Sequence, residues 1–484
     1  MRGELKERVA SGVVWSVAEK VGTMLLQAVV SVVVLRLLMP EDYGVLAVLT
    51  AFSAFALVVV DSGFSQTLIR KASPTQGEFD AVFRFNVVSA GVLYLALTAL
   101  APRVAAYYAM PELARVAPVF FLLLPVNALC VIQQTIFTRQ FRFALLSKVS
   151  FAASLASGFA AVAMALAGCG VWSLVAQRVL HMAVRALLLW RLSDWRPGRS
   201  SERRFAAWRR MAPFSLSLMA SDLISALYNK IPQLVIGRIR SSETLGYFDQ
   251  AQKLKDLPLV SAMTAVQGVI FPAFSKISDD GRKFAESYRQ VLSVVAYVFW
   301  PVMLGLSAVS YDLFAQVLGE KWMPTAPYFE AACLAGIFYP VAMTAYCVMK
   351  ARCTGTRIIR LELLKKAFMT VVFAVTLPRS VQAVVWGLVA IAGFEAAVNL
   401  WASVRATELS AGRLVRTLLP VAAVAAAMYG LVRLTGALLP ADGWLRLVAE
   451  VGAGAAAYVS LSALFRIEAF GELRALVRRQ FMRS

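Results

Sequence analysis

The chain has 484 residues, of which 60% are hydrophobic and 16% are charged. Soluble domains carry about 25% charged residues, so this composition excludes an ordinary soluble fold and predicts an integral membrane protein. The net charge of +21 would suit nucleic-acid binding, but the basic residues concentrate on one side of the predicted membrane topology. We therefore predict a membrane protein without a nucleic-acid partner.

Apolar stretches of about 20 residues, the length that crosses a bilayer core, recur along the whole chain. Most Lys and Arg outside these stretches fall on the side that holds the N-terminus, which the positive-inside rule assigns to the cytoplasm. We expect both termini on that side. The prediction is an all-α fold of about fourteen transmembrane helices, at 12–38, 44–69, 80–101, 114–137, 144–167, 170–192, 211–236, 246–274, 286–309, 325–349, 358–378, 383–404, 414–438 and 443–465.

The first predicted span carries a polar stripe, because Lys20, Thr23 and Gln27 recur at helical spacing. A lysine at mid-membrane costs about 2.5–3.5 kcal/mol even on the mildest scales, so the stripe should face water or a partner. Two interpretations remain open. The stripe lines a substrate cavity, or Lys20 pairs with Glu19 and holds helices together.

A loop motif that follows the first span is repeated after the seventh. The loop 36–44 recurs as 238–246, with Arg, Glu and Gly at matching positions 202 residues apart. Because this offset covers six spans, an even number, the two copies run in parallel through the membrane, as in many secondary transporters. The same offset superposes polar positions of the preceding spans, namely Lys20 on Asp222, Thr23 on Ser225 and Gln27 on Asn229.

The repeat divides the chain into segments. We predict an N-terminal six-helix lobe (1–192), a basic cytoplasmic linker (193–210), a C-terminal six-helix lobe (211–405), a further helix pair (414–465) and a basic cytoplasmic tail (466–484). The linker breaks at Pro197-Gly198 and then has the pattern of a short basic helix lying on the membrane surface. It serves either as a topology anchor or as a site for a lipid headgroup or protein partner.

The sixth and eighth predicted spans add charged candidates. Arg178 of the sixth span could line a cavity. Lys253 and Lys255 of the eighth span lie among Asp249 and Asp256, and on a cavity wall they would attract an anion, because low-dielectric clefts focus the field. The alternative is that this helix begins later and leaves the four charges in solvent.

Isolated acids in the spans are candidates for ion coupling. Asp61, Asp222, Glu362 and Glu395 could take up protons near neutrality, because burial raises a carboxyl pKa. The alternative is salt bridging with Lys230, Lys365 or Lys366.

The sequence contains no nucleotide-binding loop, zinc motif or nucleophile elbow. We therefore predict no catalytic residue, no metal site and no cofactor. Transport would use the membrane potential, the substrate gradient or a gradient of H⁺ or Na⁺.

The segment Leu35 to Val45, which contains Met39-Pro40-Glu41-Asp42-Tyr43-Gly44, is followed by Asp61-Ser62-Gly63-Phe64. This pattern resembles the polysaccharide-transporter branch of the multidrug/oligosaccharidyl-lipid/polysaccharide (MOP) superfamily, the Wzx-like flippases of lipid-linked oligosaccharides.

The resemblance implies two V-shaped six-helix lobes in the bacterial inner membrane that alternate between inward-open and outward-open states. It also implies an undecaprenyl-pyrophosphate-linked oligosaccharide as substrate, for the assembly of O-antigen, exopolysaccharide or another surface polysaccharide. Lys20, Lys253 and Lys255 would receive the pyrophosphate, and Thr23, Gln27, Arg178, Asp222 and Asn229 would line the same cavity. The basic residue that some relatives carry in the second span is absent from 47–60.

The resemblance implies membrane lipids as partners, together with proteins of polysaccharide polymerisation or export. Two other functions remain open. A MATE-like cation or drug antiporter would favour an acidic cavity, against which the surplus of lysines argues. A non-transporting scaffold of a polysaccharide synthesis complex would need no polar cavity.

Overall fold

The structure is a computed structural model that describes Gly22 and residues 26–198, 204–277, 280–407, 409–439, 443–472 and 474. The described part is helical and contains no strand. Its helices are α1 (Leu26–Leu37), α2 (Pro40–Asp61), α3 (Phe64–Arg70), α4 (Gln76–Tyr108), α5 (Pro111–Phe120), α6 (Leu123–Arg139), α7 (Phe143–Leu166), α8 (Val171–Leu192), α9 (Arg204–Ile239), α10 (Ser242–Lys276), α11 (Gly281–Ala308), α12 (Ser310–Leu313), α13 (Ala326–Arg352), α14 (Gly355–Thr376), α15 (Val381–Arg405), α16 (Ala411–Leu438) and α17 (Trp444–Leu464).

Within the described residues, eleven helices are long and apolar enough to cross a membrane. The three other predicted spans coincide with α1, α10 and α14. Helix α1 is described only from Leu26, and α10 and α14 carry several charged side chains each. The all-α membrane fold is therefore confirmed, whereas the number of fourteen spans stays a prediction.

The chain packs as two units, Met1–Gly246 and Tyr247–Ser484. In the first unit α9 lies against α2, α3 and α4, and α6 packs on α4 and α8. One core cluster of this unit joins Phe64 and Leu68 of α3 to Val82, Ile132 and Met211. The predicted lobe boundaries follow the repeat rather than this packing, and they stay predictions.

In the second unit α13 packs against α11 and α15, and α16 packs against α11 and α17. The core between α11 and α13 holds the buried side chains of Tyr288 and Met303. Close approach of α16 and α17 depends on Gly454, where a Cβ would lie 2.8 Å from Val432 Cγ2. Small residues at such contacts let membrane helices pack closely.

The repeated loops meet inside the first unit. Helix α2 begins with Pro40 at its first position, and the backbone N–H of Met39 donates to Asp42 Oδ2 at 3.0 Å. A Cβ on Gly44 would overlap the backbone carbonyl of Ser242, and a Cβ on Gly246 would overlap that of Pro40. Since Ser242 and Gly246 are the 202-residue equivalents of Pro40 and Gly44, the contact is reciprocal.

Candidate functional site

The second predicted span is interrupted near its end. Helix α2 stops at Asp61, Ser62 and Gly63 adopt left-handed φ values of 47° and 69°, and α3 begins at Phe64. Position 63 favours glycine for two reasons. A left-handed φ favours glycine, and a Cβ at this position would lie 2.8 Å from the backbone oxygen of Ser215. The motif Asp61-Ser-Gly-Phe64 is therefore a helix break pressed against α9.

The break is also tied to α9 by hydroxyl groups. Thr67 Oγ1 lies 2.7 Å from Ser215 Oγ, and the Thr67 hydroxyl lies 3.1 Å from the backbone oxygen of Gly63, to which it donates. These contacts fix α3 on the same helix that carries Asp222. The side chain of Asp61 is thereby held at the end of α2, where it accepts a hydrogen bond from the Ser65 hydroxyl.

A cavity of about 390 Å³ opens beside this break, and we call it the Asp61 cavity. Apolar walls come mainly from α2 and α6, and no lysine or arginine belongs to the lining. Arg185 approaches from α8, but its Nη2 donates to Gln134 Oε1 at 2.6 Å. The polar side chains of the lining are Asp61, Ser65, Asn127, Gln134, Thr135, Thr138 and Asp222.

The Asp61 cavity joins two of the four acids that the sequence analysis singled out. Among the described residues, neither Asp61 nor Asp222 forms a salt bridge. Two carboxylates that share a site with amide and hydroxyl oxygens favour uptake of a proton or a small hard cation, because the like charges repel each other. Broken membrane helices provide such sites in secondary transporters.

The α6 contribution to this cavity was missed by the sequence analysis. Asn127, Gln134 and Thr138 are spaced at i, i+7 and i+11 in a mainly apolar span, which places them on one helix face. That spacing was a usable signal. It could not reveal, however, that the face lies opposite Asp61.

The other two acids have a different environment in the second unit. Lys365 Nζ lies 2.5 Å from Glu362 Oε1 and 3.6 Å from Glu395 Oε1. Its ammonium also donates to Asn399 Oδ1 at 3.2 Å, and Asn399 in turn donates to the backbone oxygen of Ala342. Lys365 is only 7% exposed. The salt-bridge alternative therefore applies to Glu362 and Glu395.

The two lysines of the eighth predicted span lie within α10, which begins at Ser242. The interpretation that this helix begins after the charges is therefore wrong. Lys253 pairs with the fully buried Asp249 at 2.5 Å, and Lys255 pairs with Asp256 at 2.8 Å. Both ammonium groups have carboxylate partners on their own helix.

The remaining predicted cavity residues are dispersed in the first unit. Lys20 and Thr23 lie outside the described residues. Gln27 donates to Ser154 Oγ at 3.1 Å, which ties α1 to α7, and Asn229 is exposed on α9. Arg178 is exposed on α8. Among the described residues, Gln27, Asn229 and Arg178 do not line the Asp61 cavity, and the roles of all five residues in substrate binding stay predictions.

The described residues contain no group of three or more His, Cys, Asp or Glu side chains that could hold a metal ion. The chemistry that the described sites offer is therefore charge pairing and the binding of protons or small ions by oxygen atoms.

Comparison with solved structures identifies the fold. The fold is similar to that of the lipid II flippase MurJ in its inward closed conformation, with a TM-score of 0.74, 13% identity, and coverage of 94% of this chain and 98% of that one. This likeness concerns the fold alone.

The sequence comparisons give the family. The model described as "Polysaccharide biosynthesis protein" matches residues 33–327, more than half of the chain. The chain therefore belongs to this family, and its resemblance to the polysaccharide-transporter branch of the MOP superfamily is confirmed.

Three relatives illustrate the family. The chain is 26% identical to the teichuronic acid biosynthesis protein TuaB of Bacillus subtilis, over 59% of each chain. It therefore spans less than two thirds of TuaB. It is 27% identical to the succinoglycan biosynthesis transport protein ExoT of Rhizobium meliloti, over 69% of this chain and 67% of ExoT. Identity to the lipopolysaccharide biosynthesis protein WzxC of Escherichia coli is 26%, over 70% of this chain and 68% of WzxC.

Proposed function

We propose that this protein is a flippase that moves an undecaprenyl-pyrophosphate-linked oligosaccharide across the bacterial inner membrane by alternating access. Family membership supports a role in polysaccharide assembly, and the names of ExoT and MurJ describe a transport protein and a lipid flippase. The translocated unit would serve surface polysaccharide, exopolysaccharide or O-antigen assembly.

The observation that carries transport rather than scaffolding is the Asp61 cavity. A scaffold gains nothing from placing beside a broken membrane helix two carboxylates that form no salt bridge with any described residue, because charged groups are costly there. A transporter that uses an ion gradient needs such a place, where a proton or ion can bind and leave. We therefore assign coupling to H⁺ or Na⁺ to Asp61 and Asp222, and we assign no enzymatic step and no resident cofactor.

Lysines would bind the pyrophosphate of the substrate. Lys253 and Lys255 already have carboxylate partners, and an ammonium group can exchange a carboxylate for a phosphate oxygen without ever lying unpaired in a region of low dielectric. Such an exchange avoids the cost of an isolated buried charge. Lys20, the third predicted receptor, would contribute from the first span.

The orientation of the chain in the membrane is inferred from the distribution of its Lys and Arg residues. The tail and loop regions rich in Lys and Arg would lie in the cytoplasm together with both termini. Proteins of polysaccharide polymerisation or export are the protein partners expected there or on the opposite face.

The decisive experiment uses purified protein in liposomes. Lipid-linked oligosaccharide is placed in the membrane, and its appearance in the opposite leaflet is measured with and without an imposed H⁺ or Na⁺ gradient. Gradient-dependent translocation is expected from the wild type. Liposomes whose translocation equals the protein-free background under every gradient would refute the proposal, provided that WzxC handled in the same way is active.

A further inference from the structure

A second cavity of the first unit has no role in the proposed coupling. Its volume is about 410 Å³, and we call it the linker cavity. Its walls come from five segments: the turn before α4, Phe79 at the start of α4, the end of α6, the residue that precedes α7, and the linker from Ser193 to Trp195. Cavities of this size hold small molecules, and this one is large enough for a phosphate group together with the start of an organic substituent.

One group in the wall lacks a partner. Trp195 lines the linker cavity, and its indole Nε1–H is buried without a hydrogen-bond partner among the described residues. The ring itself is held in place, with its centroid 5.4 Å from that of Phe83. An unpaired buried donor is costly, and an acceptor bound in the cavity would remove that cost.

Two arginines, Arg139 and Arg142, also line the linker cavity. Arg142 lies with its guanidinium carbon 5.1 Å from the ring centroid of Phe137, and among the described residues it forms no salt bridge. Arg139 is already engaged, because its Nη1 and Nη2 donate to backbone oxygens that include those of Lys71 and Ala72, but its positive charge remains in the wall. Asp194, which also lines the cavity, is exposed. The lining thus has an excess of positive charge.

Two exposed aromatic residues flank Arg142 in the sequence. Phe141 has a left-handed φ of 55° and is 80% exposed, and Phe143 is 50% exposed. Their ring centroids are 6.1 Å apart, and Arg142 lies between them in sequence. Exposed aromatic rings beside arginine are typical of the membrane interface, where the rings contact lipid and the cation contacts headgroups.

We propose that the linker cavity binds a phosphate-type anion, with Arg142 and the Trp195 indole N–H as donors. The exposed rings of Phe141 and Phe143 beside Arg142 favour the phosphate of a membrane lipid over free phosphate as the source. This binding site is separate from the Asp61 cavity and does not depend on the transport function.

The test measures binding by the full-length protein in a neutral detergent. The probes are dioctanoyl phosphatidylglycerol and inorganic phosphate, and binding is followed by isothermal titration calorimetry. Trp195→Phe keeps an aromatic ring but removes the N–H, and Arg142→Ala removes the charge. Each should weaken binding by about tenfold, the effect of losing a hydrogen bond to a charged group, whereas Arg142→Lys should retain part of the affinity.

Lys148→Ala is the matched control, because Lys148 is an exposed cation on α7 outside the lining and should bind as the wild type does. Tighter binding of the lipid than of inorganic phosphate supports a lipid source, and equal binding supports free phosphate in the same site. Wild-type affinity in both Trp195→Phe and Arg142→Ala, or an equal loss in Lys148→Ala, would overturn the site. Thermal unfolding of each variant separates loss of the ligand from loss of the fold.

Discussion

The two units of this protein treat acidic residues in membrane helices in opposite ways. In the second unit, Glu362 and Glu395 share the ammonium of the buried Lys365. In the first, Asp61 and Asp222 line a cavity whose described residues include amides and hydroxyls but no lysine or arginine. A paired acid stabilises a helix contact, whereas an acid without a cation is available to bind one. Residue type alone therefore does not define a coupling site.

The largest effect is expected at Asp61. Asp61→Asn keeps the hydrogen bond with Ser65 but removes the ionisable group, so gradient-driven translocation in liposomes should fall by about 100-fold or more, as when a proton-transferring group is lost. Glu362→Gln is the matched control and should remain close to wild type. Full gradient-driven activity in both Asp61→Asn and Asp222→Asn would remove the contrast between the units.

Lys365→Met should affect stability rather than coupling. Removing the cation leaves two carboxylates and the Asn399 oxygen without their common donor. This should cost about 1–2 kcal/mol, less than breaking a fully buried ion pair, because Glu362 and Glu395 are 37% and 49% exposed. The midpoint of thermal unfolding in detergent measures this loss. Adding Glu362→Gln and Glu395→Gln to the Lys365→Met variant should recover most of it, and a failure to recover would mean that Lys365 acts through other contacts.

Gly63→Ala tests whether the helix break holds the Asp61 cavity in shape. A left-handed φ costs a non-glycine residue about 1–2 kcal/mol, and the added Cβ would press on Ser215 of α9. We expect a modest fall in thermal stability together with impaired gradient-driven transport. Gly91→Ala, on an open face of α4, is the control. Unchanged transport in Gly63→Ala would show that the break need not be this close to α9.

The smallest effect concerns Glu468, which follows the last membrane span and pairs with Arg289 of α11. Arg289 donates to Glu468 through two bonds of 2.7 Å, and these bonds lower the pKa of Glu468 below its ordinary value. A lowered carboxyl pKa means that the stabilisation is present above the ordinary carboxyl pKa and is lost as the pH falls through the lowered value. Because Glu468 is 58% exposed, the contribution is screened by solvent.

Glu468→Gln should therefore flatten slightly the fall of the unfolding midpoint between neutral and acidic pH. An equally steep fall in the variant would assign the acid sensitivity to other groups. The measurement also shows how little an exposed pair contributes beside the buried Lys365.

Local pattern was sufficient to predict an all-α membrane fold, but it did not predict the helix break at Ser62 and Gly63, and the number of fourteen spans stays a prediction. The 202-residue offset identified the two repeated loops, although it did not predict that they meet. Which side chains form ion pairs was harder to predict. The i, i+4 pair of Lys253 with Asp249 could be read from helical spacing, but the cation that pairs with Glu395 lies on another helix.

The composition of the Asp61 cavity was likewise beyond the sequence, since Asp61, Gln134 and Asp222 lie far apart in the chain. Which face of α6 turns towards the break between α2 and α3 is decided by the packing of whole helices. The hydrophobic pattern of α6 alone does not fix that rotation.

The reciprocal contact of Gly44 with Ser242 and of Gly246 with Pro40 has the form of an isologous interface. In such an interface two identical subunits present the same patch to each other, and residue i contacts j while j contacts i. Here one polypeptide supplies both patches, as a duplicated gene inherits the interface of a two-fold symmetric dimer. The residues of the two loops can therefore be substituted independently of each other. Gly44→Ala and Gly246→Ala should each strain a different half of the contact, and because the two halves touch, their effects should not add.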